Sequence, residues 1–116
     1  MKIYGIKNCN TMQNAMKWLD AHDVKYSFHD YKKEGVTKQK IEDWLNYFPL
    51  TELINTKGIT YKKLTDLEKQ IINNKNSAIE LMIQKTSMIK RPILEIDNGS
   101  ILVGFKEELW QKQLFI

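Results

Sequence analysis

Within its first thirty residues this chain sets two strand-like runs on either side of a helical one, and that order leaves few folds open. Ile3-Tyr4-Gly5-Ile6 is the first strand-like run. From Thr11 to about Ala21-His22-Asp23 the apolar residues Met12, Ala15, Met16 and Leu19 recur at helical spacing, and Val24, Tyr26 and Phe28 then alternate with Lys25, Ser27 and His29 as in a half-buried strand. Two such strands separated by a helix are expected to be parallel neighbours joined by a right-handed crossover.

The remainder narrows the choice. After a polar turn at Lys32-Lys33-Glu34-Gly35, Thr37 is placed to cap a helix with Ile41, Trp44, Leu45 and Phe48 on its face and Pro49 as its stop. Leu64, Leu67 and Ile71 read as one helical face. The break Asn73-Asn74-Lys75-Asn76 follows, and Ser77 with Glu80 reads as a capping box opening a helix from Ala78 to Lys85. Strands return in Ile93-Leu94-Glu95-Ile96 and Ser100-Ile101-Leu102-Val103, which flank Asp97-Asn98-Gly99, a favoured hairpin sequence. Residues Phe105 to Phe115 close the chain as a helix, with Glu107 and Glu108 where the dipole favours negative charge. The expected architecture is a single α/β domain over 1–116 on the thioredoxin plan. It has a mixed four-stranded sheet, strand-helix-strand then strand-strand-helix, with a helical insertion over approximately 37–87.

With 116 residues the chain can bury about two thirds of its unfolded surface, so a core without staples is within reach. One cysteine permits no internal disulfide. The start of the chain lacks the apolar run of a signal peptide, and no segment approaches the ~18 apolar residues of a membrane span. A soluble protein of the reducing cytoplasm is expected. The formal charge of +4 arises from lysines spread among Asp and Glu, which fits a solvated surface better than a nucleic-acid groove. His22 and His29 have no cysteine or carboxylate cluster to complete a metal site, and no glycine-rich phosphate loop is present. Trp18, Trp44 and Trp110 sit on helical apolar faces as core or edge residues.

Two residues stand out chemically. Cys9 lies where the first strand passes through Lys7-Asn8 into a helix, so the N–H groups of the first turn favour its thiolate; in strong cases such thiols reach a pKa of ~3.5–7.5. Arg91, directly before Pro92, is the single arginine among eighteen basic residues. Its planar fork grips oxyanions in two-point fashion, which lysine cannot imitate.

These features together resemble the ArsC/Spx family. The resemblance is carried by Tyr4-Gly5-Ile6-Lys7-Asn8-Cys9-Asn10-Thr11, by Leu53-Ile54-Asn55-Thr56-Lys57-Gly58 with Tyr61-Lys62-Lys63-Leu64, and by Ile89-Lys90-Arg91-Pro92-Ile93. The family holds glutaredoxin-coupled arsenate reductases, Spx regulators that bind RNA polymerase, and small ArsC-like proteins with a proposed thiol-reductase role. The resemblance implies that Cys9 is the nucleophile and that Pro92 is cis, its backbone lining the substrate groove. It further implies that Arg91 contacts the thiolate or the bound anion. Lys7 would assist ionisation, and Asn8, Asn10 and Thr11 would hydrogen-bond the bound group. No tightly bound cofactor and no metal is expected. The reductant would be glutathione or an equivalent small thiol, or a glutaredoxin-type protein.

The chain also departs from the family. Asn55 and Gly104 stand where the arsenate reductases carry two further arginines, which argues against arsenate as substrate. Met12 replaces the second cysteine of the regulators' Cys-x-x-Cys, so an oxidised Cys9 needs an outside thiol to resolve it. The alternative expectation is an Spx-like protein that binds an RNA polymerase subunit or another protein through its helical insertion.

Overall fold

A computed structural model describes residues 1–115. Two compact units divide the chain: Met1–Asp30 with the stretch from Arg91 onward, and Tyr31–Lys90.

The first unit contains β1 (Lys2–Gly5), α1 (Asn10–Ala21), β2 (Ser27–Asp30), β3 (Ile93–Glu95), β4 (Ile101–Val103) and α8 (Glu107–Phe115). The sheet order is β2-β1-β3-β4. β1 and β2 are parallel, with Ile3 opposite Phe28, whereas β3 runs antiparallel to both β1 and β4. This is the mixed sheet of a thioredoxin-like α/β fold. Ile3, Leu94 and Leu102 sit on adjacent strands and turn to one face of the sheet, where Met12, Ala15 and Leu19 of α1 and Trp110 of α8 complete the core. Fully burying each aliphatic side chain of this kind contributes ~1.5–3 kcal/mol.

One local feature differs from expectation, and a second is as expected. Hydrogen-bonded pairing in β2 begins at Ser27 rather than at Val24. The reason lies at the end of α1, where Asp23 N–H donates to the Asp20 carbonyl and Val24 N–H to that of Leu19, with Asp23 at φ +56. This is a Schellman closure with aspartate in the position glycine usually takes, and it occupies the backbone that the strand would need. Val24 and Tyr26 still pack against the core, so the alternation reported burial correctly but not the strand. At the hairpin, Gly99 has φ +92 and donates to the Ile96 carbonyl at 2.9 Å, while Asn98 does not have positive φ. The loop is therefore the expected Asp97-Asn98-Gly99 hairpin connection, built as a three-residue turn with a glycine bulge.

The second unit contains α2 (Tyr31–Glu34), α3 (Lys38–Leu45), α4 (Leu50–Leu53), α5 (Ile59–Lys62), α6 (Asp66–Ile71), α7 (Lys75–Gln84) and a 3-10 turn at Thr86–Met88. It begins at Tyr31 rather than near 37, because the expected polar turn is a single helical turn; Lys32, Lys33 and Glu34 are good helix formers, and Gly35 at φ +69 closes it. Ile41, Trp44, Leu53, Ile79, Met82 and Ile89 are all fully buried in this unit. Thr37 does cap α3, accepting the Lys40 N–H at 3.1 Å. The capping box lies elsewhere than expected: Thr65 and Glu68 exchange hydrogen bonds at the start of α6, and Asn74, not Ser77, caps α7. As a result Leu64 precedes α6 and is buried, while Leu67 is 67% exposed and Ile71 41%, so the three do not share a face. Among the described residues no helix is long and apolar enough to cross a membrane.

Candidate active site

The loop between β1 and α1 carries Lys7, Asn8 and Cys9 off the end of the sheet. Cys9 is the N-cap of α1: its backbone is extended, at φ −131 and ψ 126, and its carbonyl accepts the Gln13 N–H at 2.9 Å. Serine, threonine, asparagine and aspartate are the favoured residues at this place. Asn8, Asn10 and Thr11 surround it, yet the half-buried thiol occupies the cap.

The Cys9 side chain makes no cap hydrogen bond, and the surrounding donors act on its ionised form. Burial is the largest influence and pushes the Cys9 pKa up. Against it act the Met12 N–H, the Arg91 guanidinium both as donor and as charge, and the Thr11 N–H. Together they outweigh burial and hold the pKa below the ordinary thiol value. Two of these donors sit at the second and third helical positions after Cys9, where an N-cap side chain normally finds its partners.

Arg91 and Pro92 enter from the start of β3, and the peptide between them is cis. Pro92 is buried, and its carbonyl accepts the Gly104 N–H at 2.8 Å. Met12 is fully buried, and a Cβ on Gly5 would overlap its side chain, so glycine at that point of β1 makes room for the thioether. The place of a second cysteine is thus a core position.

Of the residues singled out in the sequence, Cys9 and Arg91 are brought together. Lys7, Asn8, Asn10 and Thr11 are exposed around the thiol, and Thr11 acts on it through its backbone; Lys7 is not among the groups that shift its ionisation. Neither position of the missing arginines offers a cation. Gly104 has φ +79, a conformation in which an arginine would be strained, and Asn55 belongs to the helical unit, where its N–H donates to the Met88 carbonyl at 2.7 Å. The contribution of the Met12 N–H was readable in principle, since any N-cap anion faces the third helical residue. The Gly104–Pro92 and Gly104–Trp110 bonds had no signal in the sequence. Among the described residues no group of three His, Cys, Asp or Glu side chains is placed to hold a metal ion.

A thioredoxin-like α/β fold with one cysteine capping its first helix and an Arg-cis-Pro segment beside it defines a class of single-thiol proteins. The chain matches the ArsC family over residues 4–113 and belongs to it. The solved structure of the YFFB (PA3664) protein is similar to it at 42% identity, with a TM-score of 0.91 and 97% of each chain covered. An arsenate reductase (ArsC) related protein from Brucella melitensis is 40% identical, with a TM-score of 0.74, covering 99% of this chain and 94% of that one. The global transcriptional regulator Spx of Staphylococcus aureus is 28% identical over 104 residues, 87% of this chain and 76% of the regulator.

Proposed function

We propose that this protein is a thiol-dependent oxidoreductase in which Cys9 is the nucleophile. The Cys9 thiolate attacks one sulfur of a disulfide, forms a mixed disulfide and releases the other sulfur as a thiolate. One external thiol, from glutathione or an equivalent or from a glutaredoxin-type protein, attacks the Cys9 sulfur of that mixed disulfide and releases the rest of the substrate as a thiol. A second external thiol then attacks the resulting Cys9 adduct, restoring Cys9 and leaving as the disulfide of the two external thiols. Two electrons pass from the external thiols to the substrate. Arg91 stabilises the thiolate and anchors the negative end of the bound group. Asn8, Asn10 and Thr11 offer donors at the rim, the exposed Lys7 draws anions toward it, and the Pro92 backbone lines the groove. With one guanidinium where the arsenate reductases of the family have three, a small dianion such as arsenate is a poor substrate. The protein works in the cytoplasm, where reduced thiols are abundant.

The observation that carries this reading is the half-buried Cys9 held below its ordinary pKa by the Met12 and Thr11 N–H groups and by Arg91. The test is intact mass after incubation with oxidised glutathione. Wild type is expected to gain one glutathione, reversible by reductant, and Cys9→Ser to gain none and to lose all disulfide-reductase turnover. Turnover retained in Cys9→Ser would overturn the reading.

One feature favours a second reading, an Spx-like regulator that binds an RNA polymerase subunit. The helical unit exposes the large apolar side chains Tyr47, Ile59 and Leu67 at 60%, 71% and 67%, which a partner would cover. Stoichiometric retention of such a subunit, with no turnover by Cys9, is the outcome it requires.

A further inference from the structure

Proline has no N–H, so the carbonyl is the single backbone group through which Pro92 can join the hydrogen-bond network, and it accepts from Gly104 at 2.8 Å. Gly104 stands one residue beyond β4 in the left-handed region at φ +79, with open space where a Cβ would lie. Its own carbonyl accepts the Trp110 Nε1–H at 3.1 Å. Trp110 is fully buried, with Phe105 edge-on at 4.8 Å and Trp18 edge-on at 6.0 Å, so the donor end of this link is fixed by the core. A buried indole N–H needs an acceptor, and that need alone explains the existence of a bond. It does not explain the acceptor, which is the residue tied to Pro92, the neighbour of Arg91.

We propose that Trp110 is a positioning residue for the Cys9 site: through Gly104 and the Pro92 carbonyl it fixes the backbone from which the Arg91 guanidinium reaches the sulfur. The inference rests on the reading of Cys9 as the nucleophile. The effect passes through Arg91, so loss of the indole donor is felt at the thiol when Arg91 is present and not when it is absent. A role confined to packing predicts the opposite pattern, a loss of stability with no signature at Cys9.

The test is the alkylation rate of Cys9 as a function of pH in wild type, Trp110→Phe, Trp18→Phe, Arg91→Ala and the Arg91→Ala/Trp110→Phe double variant. Trp110→Phe is expected to react about threefold more slowly than wild type on the acidic limb and to reach the same alkaline plateau, as less thiolate at unchanged intrinsic reactivity requires. Trp18→Phe, which shrinks a ring in the same cluster without touching Gly104, is expected to follow wild type, and the double variant to follow Arg91→Ala. An unchanged acidic limb in Trp110→Phe, an equal change in Trp18→Phe, or a further slowing in the double variant each overturns the proposal. Should Trp110→Phe not fold, the wild-type indole Nε1–H resonance serves instead. It is expected to shift with the Cys9 titration and to stay constant in Cys9→Ser, and a resonance indifferent to that titration overturns the proposal. A wild-type thiol of ordinary pKa, or one that forms no glutathione adduct, counts against the nucleophile reading itself, so the two failures are separable.

Discussion

In the unit built from Met1–Asp30 and the stretch from Arg91 onward, seven basic residues are matched by seven carboxylates. In Tyr31–Lys90 eleven lysines stand against seven carboxylates, so the whole +4 charge of the chain lies in this unit. Exposed large apolar residues follow the same division: Tyr47, Ile59, Leu67, Ile71 and Ile83 belong to the helical unit, against Leu109 and Phe115 in the other. The chemistry falls the opposite way, because Cys9, the helix N–H groups that favour its thiolate, Arg91 and Pro92 all belong to the charge-neutral unit. Net charge and the ionisation of the thiol are therefore set in separate units of the chain. A single guanidinium and two oriented N–H groups at short range act on the thiol, and none of the groups that shift it belongs to the unit holding the excess lysines.

The sharpest way to break this division is to damage the helical unit and look for an effect at the thiol. Trp44→Ala removes a fully buried ring and is expected to cost ~3–5 kcal/mol in denaturant unfolding. Under folding conditions the alkylation profile of Cys9 should keep its wild-type shape. A displaced profile in a folded sample would show that the helices contribute to the site. Next in size is Arg91→Ala, which removes a charge-assisted partner from a half-buried thiolate and should slow alkylation on the acidic limb roughly tenfold.

A smaller effect concerns stability. Since the folded protein holds the Cys9 pKa below its unfolded value, the thiolate's contribution is fully present above the unfolded thiol pKa and is lost as pH falls through the folded one. Over that window wild type should gain stability with rising pH relative to Cys9→Ser, and parallel curves would contradict the lowered pKa. Smallest is Asp23→Gly at the end of α1. It relieves a left-handed aspartate at φ +56 and should raise stability by up to ~1 kcal/mol by thermal unfolding, without changing Cys9 reactivity.

The sheet was legible because its evidence is local and repeated: each strand carries its own apolar pattern, and one helix between two of them requires the parallel pair. Cys9 and Arg91 were legible as types, a thiol at a helix start and a lone guanidinium. Their meeting depends on β1 and β3 being neighbours. The helices at 64–85 were misread because Ser-x-x-Glu and Thr-x-x-Glu satisfy the same capping pattern, and only packing decides that Thr65 uses it while Asn74 caps the next helix. The Trp110–Gly104 bond was invisible because it depends on a left-handed glycine that no residue pattern announced.

The most direct measurement is the reactivity of Cys9 toward a thiol probe across pH, with intact mass after exposure to oxidised glutathione in the same preparation. The expected result is an ionisation midpoint well below ~8.5 together with a single reversible glutathione adduct. A midpoint at or above the ordinary thiol value, with no adduct, would contradict the assignment of Cys9 as an activated nucleophile.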